Sequence, residues 1–382
     1  MMKYLFNIIL VILLISSCGK KEEKKDFAQQ ELELVKSSFN KLTGWKNDDV
    51  YLAKNAFLHS CERFKNSKTK YLGSAKIKIK TSDFLKKCQL AKNVTDKDFK
   101  NFIEQNFEPF LVKYNGSSQG KFTAYYEPKI KVSEKPDEKY KYPIHAKPLD
   151  LIEFNPNDFD ETLPSRRLVG RIENNKLVPY YSREEIGQGK GNIPVLLWSD
   201  SFVDVFVMHI QGPAVAEFEN GKQIRISYAD TNGRKFSGIG SLLLKNNEIK
   251  SGDASMGKIK QWMINNPQKA VKYMEQNKRY VFHQIIGATG PLGAIGKPLS
   301  AGRSLAVDPQ FVPLGALLWL DTTLPNGNPL RRLVNAQDVG GAIKGAIRGD
   351  YFWGSGGDDV LEQAGKMNST GSYYVLLPIS GE

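Results

Sequence analysis

Three aspartates toward the end of the chain stand where a carboxyl group can do acid–base work. Asp308 lies in Ser304-Leu305-Ala306-Val307-Asp308-Pro309, Asp338 in Asn335-Ala336-Gln337-Asp338-Val339-Gly340-Gly341, and Asp350 in Arg348-Gly349-Asp350-Tyr351-Phe352-Trp353-Gly354. Each falls at the end of a predicted strand or in the turn beside it, at the rim of a sheet where a cleft can form. A general acid needs a carboxyl shielded enough to stay protonated near neutral pH, and a strand end among apolar and Gly residues offers that shielding. Asp338 fits best, because the Gly pair after it lets backbone approach a ligand and Tyr351, Phe352 and Trp353 offer faces for sugar rings. Taken singly, each Asp also fits a turn-former or Asx cap. Asp358 and Asp359 precede Val360, Leu361 and Ala364 and read as the cap and first turn of a short helix.

Other chemistries find less support. The segment from Gly287 to Pro298 looks like a phosphate loop, but the spacing before Gly296-Lys297 is wrong and Pro298 replaces the hydroxyl that would meet magnesium, so it reads as a plain loop. Gly354-Ser355-Gly356-Gly357 lacks the glycine that a nucleophile elbow places two residues before its serine. The four histidines, His59, His145, His209 and His283, are far apart in sequence and none pairs with another ligand at helical spacing, so no metal and no cofactor is expected.

The elements that must hold these residues divide the chain. From about residue 27 to 110 the apolar residues Phe39, Leu42, Trp45, Phe57, Leu58, Cys61, Phe99, Phe102 and Ile103 recur at helical spacing. From Gly120 the pattern turns to short alternating runs, such as Phe122–Tyr126 and Phe202–Met208, that read as strands. Helical periodicity returns between about Ser255 and Tyr280. Long helices do not alternate with the strands, which predicts antiparallel or barrel-like sheets. With 382 residues, 41% apolar and 25% charged, the chain is neither disordered nor a multispanning membrane protein. The net charge of +13 comes mainly from dispersed lysines; it suits an anionic partner, with no nucleic-acid reader in sight.

Lys3 precedes an apolar run from Leu5 to Ile15, too short for a stable span and laid out like a secretory signal. Leu14-Ile15-Ser16-Ser17-Cys18-Gly19 then resembles a bacterial lipoprotein processing site, implying acylation of Cys18. Gly19 in place of Asp implies attachment to the outer membrane, facing the periplasm. Cys61 and Cys88 remain, either as one disulfide closing a loop of roughly 27 residues and worth ~3 kcal/mol, or as two buried free thiols.

The run Ala301–Pro309, Val312-Pro313-Leu314-Gly315, Ala336–Gly345 and Gly349–Gly354 together resemble the three-aspartate (3D) domain of the membrane-bound lytic murein transglycosylase A family. Upstream, Phe122–Pro128, His209-Ile210-Gln211-Gly212 and Tyr228–Gly233 through Ile239-Gly240 resemble the same family's middle region. The resemblance covers roughly residues 110 to 380. It implies a mainly β fold with N-terminal helices, in which a double-psi β-barrel carries a second β-rich domain inserted into it. The implied division is a signal peptide (1–17), a lipidated tether (18–26), a helical region packing on the barrel (27–110), a barrel from 111–130 plus 285–382, and an inserted substrate-binding domain (131–284).

The same resemblance implies cleavage of the β-1,4 bond between N-acetylmuramic acid and N-acetylglucosamine in peptidoglycan, leaving 1,6-anhydromuramoyl ends. Asp338 would be the catalytic acid and base, with Asp308 and Asp350 as electrostatic support. Tyr125, Tyr126, Gln211, Gly212, Tyr228 and Asn232 would line the cleft and bind sugar, although packing and turn formation account for them as well. The chain departs from the family pattern at Pro213-Ala214, where Ser and Gly are usual, and at Asp230-Thr231, where Gly and Lys are common. A non-catalytic wall-binding lipoprotein and a hydrolase that activates water are the alternatives.

Overall fold

The computed structural model describes residues 31–380, and the expected signal peptide, the tether and Cys18 lie outside them. The architecture is mainly β with helices packed at its two ends. Six strands form a closed hydrogen-bonded ring in the order Asn368–Pro378, Leu317–Thr323, Pro329–Asp338, Ser304–Val307, Arg348–Gly356 and Gly120–Ser133, the last pairing back to the first. Two of the contacts in the ring, Ser304–Val307 with Pro329–Asp338 and Arg348–Gly356 with Gly120–Ser133, are parallel. Closure leaves the ring without an edge, and Leu305, Leu318, Trp319, Leu333 and Tyr373 on its strands are buried in the main core.

The N-terminal helices Lys54–Phe64, Thr81–Ala91 and Phe99–Asn106 share this core, through Phe57, Phe84, Phe99 and Trp45, whose ring lies 5.1 Å from that of Trp319. A buried bidentate pair, Arg303 with Asp48 at 2.8 and 2.9 Å, pins the same region to the barrel. A disulfide joins Cys61 on the first helix to Cys88 on the second, with the Cα atoms 5.5 Å apart. The region is not wholly helical. Leu32–Lys36 is a strand that pairs with Phe107–Tyr114 and extends the sheet, with Leu32 and Leu34, two residues apart, packed against the core.

The long strand Gly120–Ser133 leaves the ring at its C-terminal half, where Lys129–Val132 pair in parallel with Val215–Phe218. There a second sheet forms from Ala214–Phe218, Gln223–Thr231, Val281–Ile286, Val195–Ser199 and Tyr142–His145. One expected strand is a helix: Phe202–Met208 belongs to the helix Phe202–Gln211, capped at Ser201, whose side chain accepts from Asp204 N at 3.1 Å. Val205 and Met208 pack on the sheet, while Val203, Phe206 and Val207 pack on the helices Met256–Asn265 and Pro267–Gln276. A segment buried on both sides shows no face in its sequence, so β-branched residues alone suggested a strand. Arg183–Gly187, Ile239–Lys245 and Asp358–Gly365 are further short helices, the last with Asp358 and Asp359 in its first turn.

Candidate active site

The register of the ring brings the carboxylates together. Asp338 is paired with Ala306, Ala306 with Asp350, and Asp350 with Thr123. Paired residues on neighbouring strands point to the same face, so the two aspartates flank the small Ala306 at two strand spacings, about 10 Å between Cα atoms.

Asp338 ends its strand half-buried. Its Oδ2 accepts from the Tyr125 phenol at 2.8 Å, and its Oδ1 accepts from Val339 N at 2.9 Å and Ala294 N at 3.0 Å. Burial raises its pKa, the three donors oppose that, and the charge of Asp350 adds to the rise; the carboxyl is pushed up to about 6. No cation pairs with it among the described residues. The Tyr125 phenol is driven well above its ordinary value by burial and by Asp338, so it stays a donor. Tyr125 itself is fixed against Phe352, the ring centroids 5.2 Å apart.

Asp350 is raised by burial against the opposing effects of the Thr123 hydroxyl and Arg348. Arg348 also donates to Thr123 Oγ1 at 2.7 Å, so the three side chains form one unit. Asp308 behaves differently. It is buried, and its two oxygens accept from Gln310 N at 3.1 Å and Gly345 N at 2.9 Å. It therefore ties down the loop after Asp338 rather than facing it. Gly345 supplies that N–H with φ at 116°, a conformation that side chains rarely adopt.

Several expected cleft residues prove structural. Tyr126, on the opposite face of the strand from Tyr125, is buried against Leu361 and Ala364. Asn232 is fully buried with its amide committed: Nδ2 donates to Tyr181 O and Lys278 O at 2.8 Å each, and Oδ1 accepts from Tyr280 N at 2.9 Å. Gln211 accepts from Tyr126 N at 3.1 Å and thereby locks the helix Phe202–Gln211 to the barrel strand, and Gly212 ends that helix with φ at 95°. Tyr351 and Phe352 are buried and offer no face to sugar, and Trp353 is partly buried in the same packing. Only Tyr228 among the expected binders is openly exposed, at 42%.

Other residues here were not legible in sequence. The loop read as plain, 287–298, supplies Ala294 N to Asp338, and Gly293 is needed because a Cβ there would meet Gln337 O at 2.6 Å. Three of the four histidines, far apart in sequence, meet in space. His209 and His283 stack 5.4 Å apart, and His145 Nδ1 lies 2.7 Å from the Tyr280 hydroxyl. Burial depresses all three, His145 to about 4 and His283 to about 3, and Arg183 lies 2.9 Å from His209 Nδ1. A buried guanidinium beside the ring nitrogens repels a metal ion, and among the described residues no cluster of His, Cys, Asp and Glu is placed to hold one.

A family model described as the MltA specific insert domain matches residues 121–284, and one described as the 3D domain matches residues 303–377. The membrane-bound lytic murein transglycosylase A of Escherichia coli K12 is 31% identical over 269 residues, 68% of this chain and 66% of its own length. Its homolog from Buchnera aphidicola is 30% identical over 262 residues, 66% of this chain and 64% of its own length, so the chain spans just under two thirds of these curated relatives. The crystal structure of MltA from Neisseria gonorrhoeae superposes with a TM-score of 0.79 at 32% identity, covering 93% of this chain and 96% of that one. The membrane-bound lytic murein transglycosylase from Agrobacterium tumefaciens gives 0.81 at 31% identity, covering 91% and 98%. With its insert-domain and 3D-domain matches and its agreement in fold and sequence with these proteins, the chain belongs to the membrane-bound lytic murein transglycosylase A family.

Proposed function

We propose that this protein is a peptidoglycan lytic transglycosylase in which Asp338 is the single acid and base. The supporting observation is the Asp338 carboxyl itself: half-buried at a strand end, pushed up to about 6, held by three donors and, among the described residues, paired with no cation. In the reaction, protonated Asp338 gives its proton to the oxygen between N-acetylmuramic acid and N-acetylglucosamine as the bond to muramoyl C1 breaks. The carboxylate then takes the proton of the muramoyl C6 hydroxyl as that oxygen bonds to C1, closing the 1,6-anhydro ring and restoring the acid. Because no water attacks, a second carboxylate at glycosidase spacing is not needed. The Tyr125 phenol and the two backbone N–H groups steady the carboxylate between the two transfers.

The six-stranded ring is read as the double-psi barrel, formed by 111–130 plus 285–382, with 131–284 as the inserted domain and the glycan running in the cleft between them. Acylation of Cys18 would hold this unit on the outer membrane facing the periplasm. Cys18→Ser should abolish palmitate labelling of the protein, and persistent labelling would refute the anchor.

The reading is tested by incubating purified protein with murein sacculi and analysing the fragments by mass spectrometry. Anhydro ends are expected. Reducing ends would indicate a hydrolase, and sacculi that are bound but uncut would indicate a wall-binding protein.

A further inference from the structure

Opposite the Asp338 loop, the inserted domain carries a charged patch that plays no part in proton transfer. Asp230, in a position where the family pattern commonly has Gly, is buried on the strand Gln223–Thr231. Its Oδ2 accepts from Lys147 Nζ at 2.6 Å and its Oδ1 from Arg167, while Arg167 Nε reaches Glu153 at 2.9 Å. Both oxygens of Asp230 are thus occupied. Arg279, just before the strand Val281–Ile286, lies within electrostatic reach of Asp230, Arg167 and Tyr228. Its main-chain oxygen accepts from the buried Arg183 at 2.7 Å, which fixes its backbone, but its guanidinium forms no hydrogen bond or ion pair among the described residues. That guanidinium reaches across to the loop following Asp338: a Cβ at Gly341 would stand 3.7 Å from Arg279 Nη1.

A half-buried guanidinium crowded by Arg167 and lacking a carboxylate of its own is costly unless an anion completes it. Its position selects the anion. A glycan bound beside Asp338 presents a muramoyl residue that carries carboxylates on its stem peptide or, where the stem has been removed, on the freed lactyl group; N-acetylglucosamine carries none. We infer that Arg279 is a specificity-determining residue that binds a carboxylate of the muramoyl substituent. This rests on the proposed glycan substrate.

Binding is best measured in the Asp338→Asn background, so that it does not depend on turnover. Three ligands separate the sources of charge: glycan strands with intact stems, strands stripped by an amidase so that only the lactyl carboxylate remains, and a neutral N-acetylglucosamine hexamer. Losing a charge-assisted contact at a half-exposed site should weaken binding of stem-bearing strands about ten-fold in Arg279→Gln, more in Arg279→Glu and less in Arg279→Lys. Affinity for the neutral hexamer should stay within about two-fold, as expected when no ionic contact is lost. Because the lactyl carboxyl is tied up as an amide on intact strands and free only on stripped ones, a loss confined to stripped strands assigns the lactyl carboxylate, and a loss confined to intact stems assigns the peptide. Equal weakening of all three ligands, or no order by charge, overturns the inference. Failure of the wild-type protein to form anhydro ends would instead overturn the catalytic reading, and the affinities would still decide the role of Arg279.

Discussion

At the end of the strand Pro329–Asp338 and on the strand Gln223–Thr231, two aspartates meet opposite fates. Burial raises the pKa of each. At Asp338 the opposition comes only from a phenol and two backbone N–H groups, with Asp350 adding repulsion, and the carboxyl ends near 6. At Asp230, Lys147, the Thr231 N–H and Arg167 overcome burial, and the pKa falls below its ordinary value. Burial alone therefore does not make an acid; burial without a cation does. One site is arranged to hold a proton, the other to hold charge in place.

The sharpest way to break this contrast is to remove the proton. Asp338→Asn keeps the shape and much of the hydrogen bonding but can neither give nor take a proton, and the rate of anhydro-end formation should drop by ~10² to 10⁴ or more. Circular dichroism should show the variant folded. Near wild-type release by the folded variant would move the catalytic role elsewhere.

Next in size is Tyr125→Phe, which deletes one donor to the carboxylate. A hydrogen bond to a charged group contributes about 1.5–3 kcal/mol, so a loss of about ten-fold or more in kcat is expected. Since that bond lowers the Asp338 pKa, its removal should also shift the fall of activity toward higher pH. A pH–rate profile reads both effects.

Asp350→Asn and Asp308→Asn sharpen the comparison at the smaller end. Removing the charge of Asp350 lowers the Asp338 pKa, so the fall in kcat/KM should move to lower pH with a few-fold loss near neutrality, a fraction of a pKa unit being worth under about 1.4 kcal/mol. Asp308→Asn gives up one of two acceptor roles to backbone N–H groups, so it should cost about 1 kcal/mol or more in thermal or urea unfolding while leaving the position of the pH profile unchanged. The two variants behaving alike would contradict the separate roles assigned to them.

The sequence made the three aspartates legible because strand-end turns have a residue signature, and the mainly β character followed from period-two runs. It could not rank Asp308 against Asp350, since what separates them is register: Asp350 is aligned with Ala306 and Thr123, whereas Asp308 faces the Gly345 N–H. The family motif at Tyr228–Gly233 mixes purposes that sequence cannot separate. Asn232 braces backbone, Tyr228 stands exposed, and Asp230 anchors two cations. Tyr125 and Tyr126 differ only in strand parity, yet one touches Asp338 and the other packs under a helix. Ala294 gave no signal, because its backbone N–H, common to nearly every residue type, does the work.

The central claim is that Asp338 enters the reaction protonated, and the direct measurement is the titration of its carboxyl by carbon-13 NMR alongside the pH dependence of kcat/KM. With the folded pKa raised to about 6, the protonated fraction is largest below that value and falls about ten-fold per pH unit above it. The carboxyl should titrate near 6 in the wild-type protein, and kcat/KM for release of anhydro ends should begin to fall in the same range. A carboxyl titrating near the ordinary aspartate value of about 4, with activity undiminished up to about pH 8, would contradict the account.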